Sequence, residues 1–189
     1  MIEANPKLTP NRFLRKNTKV VVPDRFILPE TSKGLYQGIF VNLAELRLYY
    51  YPKGTNRVET FPVGIGRLGW QTPVTTEAQK ARITQLVENP SWKPTKSIQE
   101  AYFKRTGKYY PEIVKPGKNN PLGQYKIRTN IDNGTYLIHG TNVQYAVGRR
   151  VSSGCIRMWA KDIKQLYTLV MQRRHLQPKK QAKQTESKT

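Results

Sequence analysis

The stretch from Gly123 to His139 constrains the fold more than any other part of the chain. Gly123-Gln124-Tyr125-Lys126-Ile127-Arg128 and Thr135-Tyr136-Leu137-Ile138 are strand-like runs, and Asp132-Asn133-Gly134 between them supplies residues that tolerate positive φ. An antiparallel hairpin is expected, and its second strand ends by presenting His139. Sixteen positions later (155 − 139 = 16) stands Cys155, the only cysteine in the sequence. Gly140-Thr141-Asn142 follows the histidine, and Ser152-Ser153-Gly154 precedes the cysteine.

The same pattern of short strands runs earlier in the chain. Gly38–Leu43 and Glu45–Tyr51 alternate around a turn and read as a hairpin, and Val58–Gly66 continues as a third strand. Gly64 and Gly66 mark a bulge or a close backbone approach. Gln79–Glu88 is compatible with a short helix or a strand. Ser97–Thr106 has helical composition and stops at Gly107. In Ala160–Arg173, Ile163, Leu166, Tyr167 and Val170 recur at helical spacing, which predicts an amphipathic helix packed on the sheet. The expected class is therefore mainly β, a β-rich α+β domain with a C-terminal helix.

Residues 67–121 interrupt this plan with prolines at 73, 90, 94, 111, 116 and 121. An excursion this long either shapes a binding site or lid, or moves freely on the surface. Residues 1–28 carry an Asn5-Pro6 start, a turn near Lys16-Asn17 and the apolar run Val20–Val22 ended by Pro23, which reads as an edge strand. Residues 173–189 form a basic, polar tail expected to be disordered.

Charge narrows the partners. Lys and Arg number 33 against 12 Asp and Glu, a net charge of +21. Such a field attracts nucleic acid, anionic lipid or an acidic wall polymer. No helix-turn-helix, zinc-finger or RNP-like pattern accompanies it, so no specific nucleic-acid partner is expected. One cysteine excludes an internal disulfide framework and a cysteine-cluster metal site; no metal and no cofactor is expected. The first residues lack the basic and apolar regions of a signal peptide.

The scarce residues suggest nucleophilic catalysis. A cysteine attacks carbonyls as its thiolate, and a histidine within hydrogen-bond reach takes the proton and later returns it. Backbone N–H groups in a tight turn can stabilise the oxyanion, and Gly154 next to Cys155 allows such a turn.

His139-Gly140-Thr141-Asn142 together with Arg150-Val151-Ser152-Ser153-Gly154-Cys155-Ile156-Arg157-Met158 resembles the signature of the L,D-transpeptidase (YkuD-domain) family. Tyr49–Gly54, Gly64-Ile65-Gly66, Asn89–Thr95 and Asn120–Gly123 resemble its Gram-negative, LysM-linked subgroup. The resemblance implies a YkuD-type β-sandwich catalytic domain over 34–172, and it makes residues 1–28 similar to the second half of a peptidoglycan-binding LysM module plus a linker. It implies Cys155 as nucleophile, His139 as base, the Gly140 carbonyl as the group orienting the histidine, and the backbone N–H of Gly154 and its neighbour as the oxyanion hole. Arg157, Ser152, Ser153 and Arg150 match positions that support the loop or meet substrate, with Arg149 beside them as a further carboxylate partner. Ser153 stands where many members carry a second histidine, which leaves His139 as base.

The implied reaction is acyl transfer from a peptidoglycan tetrapeptide stem, with D-alanine leaving. The acceptor is open: an amine of a second stem, an envelope-lipoprotein lysine, or water, which would make a carboxypeptidase or amidase of the same centre. A non-catalytic basic envelope or nucleic-acid-binding protein is the alternative of a different class. The resemblance further implies acylation by carbapenems, a periplasmic location and a signal peptide upstream. The final β-strand usual in the family has no counterpart after Gln172.

Overall fold

The computed structural model describes residues 13–22, 28, 37–75 and 80–175. The chain divides into two units, residues 1–35 and 36–189. In the first, Asn17 takes a positive φ of 67° and Thr18 returns both its N–H and its hydroxyl to the Arg15 carbonyl. The turn expected at Lys16-Asn17 is thus present. Val20–Val22 do not form the expected strand. Three apolar residues halted by a proline offer too short a ladder to hold one, and Val21 and Val22 are largely exposed. Residues 1–12 and 23–27, which would carry most of a LysM-like segment, lie outside the described residues.

In the second unit, β1 (Gly38–Asn42) and β2 (Arg47–Tyr51) form the expected hairpin, with Phe40 opposite Tyr49. β3 (Glu59–Pro62) pairs on the other edge of β2, giving a three-stranded antiparallel sheet. The single strand expected over Val58–Gly66 is split. After β3 the chain leaves that sheet, Gly64 bridges to Arg157, and β4 (Ile65–Gly66) pairs with a later strand. Both glycines are required by contact: a Cβ on Gly64 would lie 2.0 Å from the Ala146 carbonyl oxygen, and one on Gly66 2.0 Å from that of Trp70.

β5 (Ile83–Glu88) resolves the Gln79–Glu88 ambiguity in favour of a strand. α1 (Lys96–Thr106) is capped by the Thr95 hydroxyl on the Ile98 N–H and ends at left-handed Gly107, φ 68°. β6 (Tyr125–Thr129) and β7 (Leu137–His139) form the hairpin read from the sequence, with Ile127 opposite Ile138. Its turn places Asp132 and Asn133 at φ 46° and 52°, as that tripeptide favours. β8 (Arg150–Ser152) is parallel to β4, and β9 (Ile156–Arg157) is parallel to β7. The larger sheet has the order β5-β6-β7-β9.

α2 (Ala160–His175) runs two residues beyond the expected end. Residues 173–175, assigned to the disordered tail, are therefore helical. Gln and Arg are good helix formers, and cations suit a helix C-terminus. Residues 176–189 lie outside the described residues. One apolar cluster joins the layers: Leu48, Tyr50 and Phe61 from the three-stranded sheet, Tyr125, Ile127 and Ile138 from the four-stranded sheet, and Ile163, Leu166 and Val170 from α2. The mainly β sandwich with a C-terminal helix is as the sequence implied.

The excursion between β5 and β6 is ordered by its own contacts. Trp92 and Val114 exchange backbone hydrogen bonds of 2.9 and 2.8 Å. Asn120, fully buried, gives its amide to the Pro90 carbonyl at 2.8 Å and takes the Leu122 N–H at 2.9 Å. Tyr102 stacks on Tyr110, which meets the edge of Trp92. This part of the segment is folded on its own contacts.

Candidate active site

The parallel pairing of β7 and β9 builds the site. Ile138 pairs with Ile156 and His139 with Arg157. Ile138 belongs to the core and Ile156 packs against it. Side chains alternate along strands, so His139, Arg157 and Cys155, one residue before β9, are sent to the other face. Strand register thus sets two residues sixteen positions apart on one face of adjacent strands.

His139 is buried, and its Nδ1 lies 2.5 Å from the Gly140 carbonyl oxygen. With the proton on Nδ1, that carbonyl fixes the ring and Nε2 carries the lone pair. Burial pulls the imidazole from its ordinary 6.5 down to about 4, and the Arg157 charge adds to the shift; the Gly140 and Leu122 carbonyls oppose it. Cys155 is half-buried, and its thiol is directed to the Thr135 carbonyl at 3.7 Å. Burial pushes the thiol above its ordinary value, while the Leu137 N–H and the Arg157 charge act the other way. At neutral pH the resting pair is therefore thiol and imidazole, rather than thiolate and imidazolium.

The turn before Cys155 is held from three directions. Ser152, fully buried, accepts the Gly154 N–H at 3.1 Å and donates to the Cys155 carbonyl at 2.6 Å. Thr72 donates to the Gly154 carbonyl at 2.8 Å. Gly154 has φ +104°, and a Cβ there would sit 2.5 Å from Cε1 of Tyr136. Only glycine fits both demands.

One sequence expectation needs correction. The Gly154 N–H, expected in the oxyanion hole, is taken by Ser152, because the tight turn returns it onto the residue two positions back. Arg150 is exposed and donates from Nη2 to the Leu43 carbonyl at 3.0 Å, which ties it to the turn after β1. Ser152 is a loop staple, and Ser153 is half-buried beside it.

The Arg157 charge acts on the thiol. Burial pulls its guanidinium below the ordinary arginine value, and Cys155, Tyr110 and Tyr145 favour its charge while neighbouring Arg67 opposes it. It remains a cation at any working pH. Its Nε is buried with no hydrogen-bond partner among the described residues. Arg67, Tyr110, Tyr145, Thr72 and Tyr136 thus join the site without having been assigned a role from sequence. They come from separate segments of the chain. No group of three or more His, Cys, Asp or Glu among the described residues could hold a metal ion.

Residues 36–178 match the L,D-transpeptidase catalytic domain, YkuD. The chain belongs to the L,D-transpeptidase family. It is 41% identical over 170 residues to the probable L,D-transpeptidase YcfS of Escherichia coli K12, covering 90% of this chain and 51% of that protein. To the probable L,D-transpeptidase ErfK/SrfK of the same strain it is 44% identical over 171 residues, covering 88% and 50%. The chain spans about half the length of the curated relatives it matches. Among solved structures, an L,D-transpeptidase from Mycobacterium tuberculosis H37Rv aligns with a TM-score of 0.46 at 14% identity, over 69% of this chain and 51% of that one.

Proposed function

We propose that this domain catalyses L,D-transpeptidation of peptidoglycan through a thioester on Cys155, assisted by His139. The observation that carries the reading is the β7–β9 register, which brings a thiol, a carbonyl-oriented imidazole and a partly unsatisfied arginine onto one face. In the first step His139 Nε2 takes the thiol proton and Cys155 Sγ bonds to the carbonyl carbon of the L-centre of the third, diaminoacyl residue. The C–N bond breaks, and the departing D-alanine amine takes the proton from His139. In the second step an acceptor amine attacks the thioester, loses its proton to His139, and the thiol is restored.

Arg157 would bind a stem carboxylate, satisfying its buried Nε–H. That carboxylate would also offset a cation which holds the imidazole pKa down, so substrate binding would strengthen the base. The net charge of +21 suits a polymer bearing stem carboxylates, and the site of action would be the cell envelope, in the periplasm. The acceptor is an amine of a second stem or of a lipoprotein lysine, and carbapenems would acylate Cys155. A LysM-like identity for residues 1–28 belongs to the same proposal.

The test is incubation with tetrapeptide muropeptides, with and without an added amine acceptor, followed by mass spectrometry. Released D-alanine, a Cys155 thioester and amine-dependent product are expected, all lost in Cys155→Ala. Product independent of the amine would instead identify a carboxypeptidase, and D-alanine release by Cys155→Ala would sink the mechanism.

A further inference from the structure

Thr72 is 82 residues from Gly154 in sequence, yet its buried hydroxyl joins the nucleophile turn to the sheet. Oγ1 accepts the Gly66 N–H at 2.9 Å and donates to the Gly154 carbonyl at 2.8 Å. Gly66 is itself fixed by β8, and the loop carrying Thr72 folds back so closely that a Cβ on Gly66 would strike the Trp70 carbonyl. The hydroxyl therefore sits on a rigid mount.

Three peptide planes flank Cys155, and they are held by different groups. Ser152 takes the N–H of the plane between 153 and 154 and donates to the C=O of the plane between 155 and 156. The plane between them is held through its carbonyl by Thr72. At φ +104° Gly154 has no side chain to restrict that plane's rotation, so an external bond must do it. The peptide is trans, as are all those described, so the C=O of Gly154 and the N–H of Cys155 point in opposite directions. Holding the one aims the other.

We propose that Thr72 is a positioning residue: by pinning the Gly154 carbonyl it aims the Cys155 N–H at the oxyanion formed when Cys155 attacks. This rests on the acyl-transfer reading of Cys155. As the S–C bond forms, the carbonyl π pair moves to oxygen and the Cys155 N–H donates to that charge. When the tetrahedral intermediate collapses, the pair returns and the leaving group departs with the proton held by His139. The Gly154 N–H, occupied by Ser152, is not the donor.

The experiment compares two reactions of the same thiol. Acylation by a carbapenem passes through an oxyanion; alkylation by iodoacetamide is displacement at saturated carbon and does not. In Thr72→Val the acylation rate constant should fall by roughly tenfold to a hundredfold, alkylation should stay within about twofold, and Thr72→Ser should restore acylation. Thr72→Ala removes the same hydroxyl without crowding, should the valine not fold. Wild-type acylation in Thr72→Val or Thr72→Ala overturns the proposal, and so does an equal fall in both reactions, which would mark Thr72 as merely structural. A wild-type protein that alkylates but is never acylated would refute the acyl-transfer reading itself, and the proposal with it.

Discussion

Cys155 and His139 are both neutral at rest because both are taken from water, and each charged form is penalised by burial. Reactivity then depends on proton transfer during attack, not on a standing ion pair. Iodoacetamide alkylation should rise steadily with pH through neutrality and level off only above the ordinary thiol value near 9. A plateau already reached at pH 5–6 would reveal a resting thiolate and contradict the geometry. Arg157 is the other decisive residue at this scale. Arg157→Gln should raise KM for a stem carrying a free carboxylate by about tenfold, the loss of one charge-assisted hydrogen bond. Amidating that carboxylate should erase the difference between the two proteins. Equal KM values on the acidic stem would remove Arg157 from substrate recognition.

The elements show how position is enforced. β7 and β9 supply only five residues, but their parallel register sets His139 and Cys155 on one face despite their sequence separation. The excursion between β5 and β6 brings Tyr110 to Arg157, and Asn120 ties its two ends. Asn120→Ala would leave the Pro90 carbonyl and the Leu122 N–H without their partner. It should cost about 1–3 kcal/mol of stability, measured by urea unfolding, and loosen the Trp92–Tyr110–Tyr102 cluster. An unchanged midpoint would show that the aromatic contacts suffice without the tie. Glycine was legible at this scale as a signal of close approach. What Gly64 and Gly154 approach was not, because Ala146 and Tyr136 lie far from them in sequence.

For the whole molecule, burying a neutral histidine couples folding to pH. The folded imidazole titrates at about 4 and the unfolded one near 6.5. Between those values the unfolded chain binds more protons, so stability falls as pH drops; above about 6.5 His139 contributes no slope. The full penalty, reached below pH 4, is ~3 kcal/mol at about 1.4 kcal/mol per unit. Melting temperature against pH should therefore fall more steeply from 6.5 to 4 in the wild type than in His139→Gln. Parallel curves would mean that the ring is solvated in the folded protein. The surrounding field acts in the same direction, since a net charge of +21 resists adding another buried proton.

The sequence by itself determined the local chemistry and most of the elements. Alternation marked β1, β2, β6 and β7, Asp132-Asn133-Gly134 marked their turn, and helical spacing marked α2. These are short-range patterns, set by residues that lie next to each other. The pair His139 and Cys155 was legible because scarce residues stood in a recognisable family motif, as was the Gly140 carbonyl that holds the ring. Tertiary structure alone decided which groups meet that pair. It tied Arg150 to the Leu43 carbonyl, placed the Gly154 N–H on Ser152, and brought Thr72 across 82 residues to the turn before Cys155. Such contacts depend on how loops return to the sheet. Backbone groups find their partners through the completed fold, and a linear pattern does not encode which carbonyl will face which hydroxyl.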